Sequence, residues 1–263
     1  MNIDIREFSK FNSYLFYEKE HKYYWNDKQV KLSVTKFVSQ FFEPFDKYTV
    51  ATQYAKKHNI ANVNDVLDDW EKQGLIATIT GTIVHKFLED YARGKVFEID
   101  FSEAIKYNLE AEVKERLNIL LPQAENFHFD TLGKLIPVQL EYTVGIEDII
   151  AGNIDMLCWN ETAQEFQIWD YKNLKQMTTN SEYGQYAKFE FSNYEDCKLV
   201  HYSMQQYFYK CILERLLNIK IGKCYLVHFC HLANDYEIYE CINMEKECNE
   251  ALDRLIKQNK NKN

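Results

Sequence analysis

Ile149-Ile150-Ala151-Gly152-Asn153-Ile154-Asp155-Met156-Leu157-Cys158-Trp159, the polar break Asn160-Glu161-Thr162-Ala163-Gln164, then Phe166-Gln167-Ile168-Trp169-Asp170-Tyr171-Lys172 is the stretch that decides the fold. Two apolar, β-branched and aromatic runs around a short polar segment predict a β-hairpin. Strand side chains alternate faces, so Asp170 and Lys172 point one way and Tyr171 the other. Asp155 and Asp170 thus lie on consecutive strands with a lysine beside them. Carboxylate oxygens suit a hard cation such as Mg²⁺ or Mn²⁺. A metal there would lower the pKa of a bound water and shield a phosphate, while Lys172 orients the nucleophile or stabilises developing negative charge. An Asp-x-Lys tripeptide alone also fits an exposed strand edge, so its neighbours matter.

Upstream, Val84, Leu88 and Tyr91 recur at helical spacing, with Thr78 or Thr80 as the expected N-cap. His85 and Glu89 then share one stripe, either facing one ion or phosphate or forming a solvated pair. A neutral imidazole ligates Mn²⁺ well, which favours His85. Downstream, Tyr202 opens an apolar-rich helix through Leu217, with Gln205 and Tyr209 four apart. They are read either as polar groups at the core edge or as hydrogen-bonding partners of a nucleotide or of the site lysine.

The order His85, Asp155, Asp170-x-Lys172, Gln205-x-x-x-Tyr209 resembles the RecB-like branch of the PD-(D/E)xK nuclease superfamily, which includes phage-type and mitochondrial genome maintenance exonucleases. The resemblance covers Gly81 to about Leu217. It implies a restriction-endonuclease-like α/β (α+β) core of mixed sheet flanked by helices, one or two Mg²⁺ or Mn²⁺ ions, and cleavage of DNA. It also implies His85, Asp155, Asp170 and the backbone carbonyl of Tyr171 as metal ligands, Lys172 as the catalytic lysine, and Gln205 and Tyr209 as an accessory motif. Glu141, on an expected strand from Ile136 to Val144, stands where many relatives carry a glutamate. Some relatives hold an iron-sulfur cluster with one cysteine ahead of the nuclease core. Here all seven cysteines, from Cys158 to Cys248, follow His85, which argues against a cluster.

With 263 residues, of which 46% are hydrophobic, the chain can bury one large core or a core plus a small subdomain. No apolar run reaches membrane-spanning length, and the start Met-Asn-Ile-Asp-Ile-Arg-Glu lacks a signal peptide's apolar segment. A cytoplasmic protein with reduced cysteines is expected. No Gly-x-x-x-x-Gly-Lys-Ser/Thr loop is present, so unwinding would fall to a helicase or recombination partner. The net charge of −9 is unusual for a nucleic-acid binder and confines DNA contact to a local lining. Lys86, Glu89, Arg93 and Lys95 around His85, Lys175 and Lys188 after Lys172, and Gln205 are the candidates.

Residues 1–75 are read as an N-terminal β-hairpin and helical region framing the DNA channel, and 76–263 as the nuclease core. Tyr14–Tyr17 and Lys22–Trp25 are expected strands, and Ser33 caps a helix through Phe42. Ser102 to Leu120 reads as one amphipathic helix. Glu245 to Lys257 is the expected final helix, followed by a frayed tail. The connection Asn173 to Lys198 is long for a compact domain. Its rings Tyr183, Tyr186, Phe189, Phe191 and Tyr194 either stack on unpaired bases or pack the loop. The expectation is a metal-dependent DNA exonuclease, with a structure-specific endonuclease or a non-catalytic DNA-binding scaffold as rivals.

Overall fold

The computed structural model describes residues 5–17, 20, 22–217 and 219–261; the sequence's expectations for residues 1–4 and 262–263 lie outside them. A small antiparallel sheet comes first, from β1 (Tyr14–Tyr17), β2 (Lys22–Trp25) and β3 (Lys28–Gln29). Asn26 and Asp27 turn β2 into β3 with positive φ of 45° and 64°, the twist that a two-residue hairpin requires.

β4 (Leu32–Ser33) leads into α1 (Val34–Ser39), where the Ser33 hydroxyl accepts from the Lys36 amide at 3.1 Å as the sequence predicts. The helix ends three residues before the expected Phe42, in turn hydrogen bonds that still bury Phe41 and Phe42. α2 (Lys47–Lys57) and α3 (Val63–Ala92) follow. α3 corrects one expectation: its N-cap is Asn62, and Thr80 lies in mid-helix with its hydroxyl donating to the Ile76 carbonyl at 2.9 Å. The helix therefore passes unbroken through the sequence-drawn division at residue 75.

The single helix expected over Ser102 to Leu120 is two: α4 (Ser102–Lys106) and α5 (Glu110–Thr131). Asn108 breaks them by adopting φ 55°, a left-handed conformation that asparagine tolerates. α6 (Lys198–Leu216) and α7 (Glu245–Lys260) complete the helices, α7 running past Lys257 through much of the expected tail.

The main sheet is mixed. β5 (Leu135–Ile146), β6 (Ile150–Asn160) and β7 (Glu165–Asn173) form an antiparallel meander, α6 crosses over to β8 (Ile221–Phe229) parallel to β7, and β9 (Glu237–Glu240) closes the far edge. Helices cover both faces. Trp169, Tyr171 and Met156 pack with α3 and α5, while Ile168, Leu157 and Leu226 pack with α1, α6 and α7. Phe8 and Phe11 at the N-terminal end share the second of these interiors.

One irregularity positions everything that follows. β6 and β7 pair from Asn160↔Glu165 back to Met156↔Trp169 and then part. The side of β6 that β7 leaves is taken at Ile150 and Ala151 by the short parallel strand β4. Asp155 and Asp170 stand at the mouth of this fork.

Candidate metal centre

At the fork the Asp155 carboxylate does the work of a missing ladder bond: its Oδ2 accepts from the Tyr171 amide at 2.8 Å. On the other side of β6, Leu140 pairs with Met156 and Tyr142 with Ile154, so Glu141 falls opposite Asp155. Glu141 has φ 50°, a left-handed conformation with a steric cost for a residue bearing a Cβ. Its carboxylate accepts from the Asn153 side-chain amide at 2.5 Å, and Asn153 in turn accepts from the Thr143 hydroxyl at 3.1 Å.

His85 reaches this pair from α3. Its Nε2 lies 2.9 Å from the Tyr171 carbonyl, which can only accept, so Nε2 carries the hydrogen. In the neutral ring this leaves the Nδ1 lone pair toward Asp155, 3.4 Å from Oδ2. Fixing one ring nitrogen on a carbonyl while the other faces carboxylates is how proteins prepare a ligand histidine. Potential ligand atoms of His85, Glu141 and Asp155 all lie within 4.8 Å of one another. Two carboxylates and an imidazole at that spacing fit a hard or borderline divalent cation, whose charge would relieve their repulsion.

Asp170 lies outside this group. It is 3% exposed on the α6 face, where Oδ1 accepts from the Gln206 amide at 2.9 Å and Oδ2 lies 2.5 Å from Lys172 Nζ. Burial pushes its carboxyl above the ordinary carboxylate range, and the Lys172 ammonium offsets that only in part. For Lys172, burial would disfavour the charge, but Asp170 and Asp155 outweigh it and hold its pKa above that of a free lysine. With the groups 2.5 Å apart, the pair is ionised at neutral pH. Lys172 also sits 4.9 Å over the Tyr202 ring.

Gln205 and Tyr209 hydrogen-bond each other at 3.2 Å, and Gln205 also donates to Thr35 at 3.1 Å. Tyr209 packs on the one residue that lets it approach: a Cβ at Gly152 would meet its ring at 2.5 Å. Burial pushes the Tyr209 phenol well above its usual value and keeps it neutral. The polar contact to Asp170 comes from Gln206, which the sequence pattern does not single out. Two adjacent glutamines on a helix differ by about 100° of rotation, and only packing shows which one faces the sheet. Asn153 is a second site residue absent from the sequence-derived set, although strand alternation places it on the face of Asp155.

The centre borders a cleft of ≈ 1180 Å³ whose lining includes His85, Lys86, Glu89, Glu141, Tyr171 and Lys172, with Tyr14, Leu15 and Phe16 from the N-terminal sheet. Three of the basic candidates are engaged in ion pairs. Lys86 pairs with Asp90, Arg93 with Glu89 at 2.8 Å, and Lys188 with Glu43 at 2.7 Å away from the cleft lining. Lys175 and Lys95 are exposed. In the long connection, Tyr183, Tyr186 and Phe189 are exposed, whereas Phe191 is fully buried and Tyr194 packs against the core. All seven cysteines are buried as free thiols.

No protein-family model and no curated protein matches the sequence. Among solved structures, the crystal structure of SSO0001 aligns over 97% of this chain and 83% of its own, at 14% identity and a TM-score of 0.34. That likeness carries no argument about function. Among the described residues, no helix is long and apolar enough to cross a membrane.

Proposed function

We propose that the protein is a metal-dependent deoxyribonuclease of the RecB-like PD-(D/E)xK type, an exonuclease that hydrolyses DNA ends in the cytoplasm during recombination, repair or replication. The observation that carries this reading is the fork between β6 and β7, where His85, Glu141 and Asp155 converge beside the Lys172–Asp170 pair. The left-handed Glu141 adds weight, because backbone strain of this kind persists at sites where surrounding structure holds it for a purpose.

His85, Glu141 and Asp155 would hold Mg²⁺ or Mn²⁺, with Asp170 and the Tyr171 carbonyl adjacent. A bound divalent ion there supplies charge neutralisation and a more acidic water. The protein's own groups do the rest. Asn153 orients Glu141, and the Tyr171 carbonyl fixes the His85 tautomer. Lys172, kept cationic by Asp170 and Asp155, borders the cleft and stabilises negative charge on a phosphate held there.

The test is digestion of end-labelled linear single- and double-stranded DNA beside closed circles, with Mg²⁺, Mn²⁺ or chelator, comparing the unmutated protein with Lys172→Ala. Metal-dependent loss of linear DNA alone, abolished by the substitution, is the expected result. Nicked circles would convert the reading to an endonuclease, and equal inactivity of both proteins with DNA still bound would make it a scaffold.

A further inference from the structure

The cleft in front of the metal centre has a charge balance opposite to that of a duplex-binding groove. Glu98 and Asp100 face the same space as Glu141, and so do Glu89 and Glu103, which pair with Arg93 at 2.8 Å and Lys106 at 3.1 Å. Among the described residues its lining contains two cations, Lys86 and Lys172, and each already pairs with a carboxylate, Asp90 and Asp170 respectively. Between the acids the rim is largely apolar: Leu15 is 50% exposed and Tyr107 44%, with Lys106 Nζ 4.7 Å over the Tyr107 ring and Phe16 and Phe97 partly buried beside them.

A duplex carries one phosphate charge per ≈ 1.7 Å of axis on its outside and seals its bases within. It would offer this cleft phosphate rails along a lining in which carboxylates outnumber the cations Lys86 and Lys172. A single strand has a lower charge density and can turn its bases toward apolar and aromatic side chains. It then needs positive charge only at the scissile phosphate, which a bound ion would supply together with Lys172.

We infer that this cleft admits a single-stranded DNA end with its bases against Leu15, Phe16, Phe97 and Tyr107, and that the acidic wall excludes duplex. The inference rests on the nuclease reading above and selects the strand preference that it leaves open. Neutralising one phosphate of a single strand has a salt slope of about −0.7. Binding should therefore weaken only about threefold between 50 and 200 mM salt, against roughly a thousandfold or more for a protein that neutralises many phosphates of a duplex.

The experiment measures kcat/KM with Mn²⁺ on single-stranded and blunt duplex oligonucleotides of one sequence across that salt range, alongside melting curves with and without Mn²⁺. Single strands should be cut at least tenfold faster, with the shallow salt dependence. Glu98→Lys combined with Glu103→Lys should narrow the ratio by raising duplex cutting, and Tyr107→Ala should raise KM for the single strand more than it lowers kcat. Equal cutting of duplex by the unmutated protein, or a ratio untouched by the charge reversals, would overturn the inference while leaving the nuclease reading standing. Failure to cut either substrate, with no metal-linked rise in melting temperature, would remove the nuclease reading and this inference with it.

Discussion

Asp155 and Asp170 come from one hairpin and stand at one fork, yet they live in opposite electrostatic conditions. Asp170 is closed in: Lys172 faces one oxygen, Gln206 the other, and its side chain is 4% exposed. Asp155 accepts a backbone amide and then looks onto a second carboxylate and an imidazole at the edge of a cleft. The first arrangement pairs its charge with a cation inside the protein, although Oδ2 has no hydrogen bond of ordinary geometry. The second concentrates negative charge that a cation from solution can satisfy, which is why the neighbouring carboxylates suit different work.

The largest break in this contrast should come from Lys172→Met. It leaves the buried Asp170 carboxylate without its cation, at a cost of about 3–5 kcal/mol in denaturant unfolding at neutral pH. The pH dependence has a definite sign. Burial raises the folded-state pKa of Asp170 above its unfolded value, and loss of Lys172 raises it further. The folded variant thus holds a proton that the unfolded chain releases, so its deficit should shrink as pH falls from 8 to 5 and grow as pH rises. A deficit independent of pH would mean that Asp170 does not carry the cost.

Gln206→Leu should cost less, about 1–2 kcal/mol, because Asp170 loses a neutral donor while the side-chain oxygen of Gln206, buried without a partner, is removed as well. Gln205→Ala should cost less again, up to about 1 kcal/mol, since its bond to Thr35 is solvent-exposed and its bond to the Tyr209 hydroxyl is part-buried. Urea unfolding of the two variants side by side distinguishes the neighbours, and a reversed order would move the polar contact to Gln205.

The smallest expected effect sharpens the open side of the fork. Glu141→Gly removes a left-handed residue with a Cβ and one of two facing carboxylates, so metal-free stability should be unchanged or rise by up to about 1 kcal/mol. The same substitution should shrink the metal-linked stabilisation, which for the unmutated protein is about 2.7 kcal/mol when the ion is at a hundred times its Kd. Thermal melts with and without Mn²⁺ measure both; a variant that keeps the full metal response would exclude Glu141 as a ligand.

Much of the fork is legible in the order of its residues alone. The alternation of Ile168, Trp169, Asp170, Tyr171 and Lys172 gives the strand and its two faces, and the fold distributes those side chains between the two cores accordingly. The Ser33 cap and the turn at Asn26 and Asp27 follow from local chemistry. The start of α3 misleads because Thr80 has cap-forming chemistry, but the polar stretch before it continues the same helix. Local propensity also gives no sign that Asn108 divides α4 from α5.

What the sequence by itself determined is the mixed strand and helix pattern, the hairpin that carries Asp155, Asp170 and Lys172, and the helix that carries His85. These depend on side-chain periodicity and capping, which act over a few residues. Tertiary structure decided that Glu141, expected only from the resemblance, lies against His85 and Asp155, and that Asp170 takes its second contact from Gln206. Those contacts link residues 86 apart for His85 and Tyr171 and 36 apart for Asp170 and Gln206. Their geometry is set by where β6 leaves β7 and how α3 and α6 pack on the two faces, and no local periodicity encodes that parting.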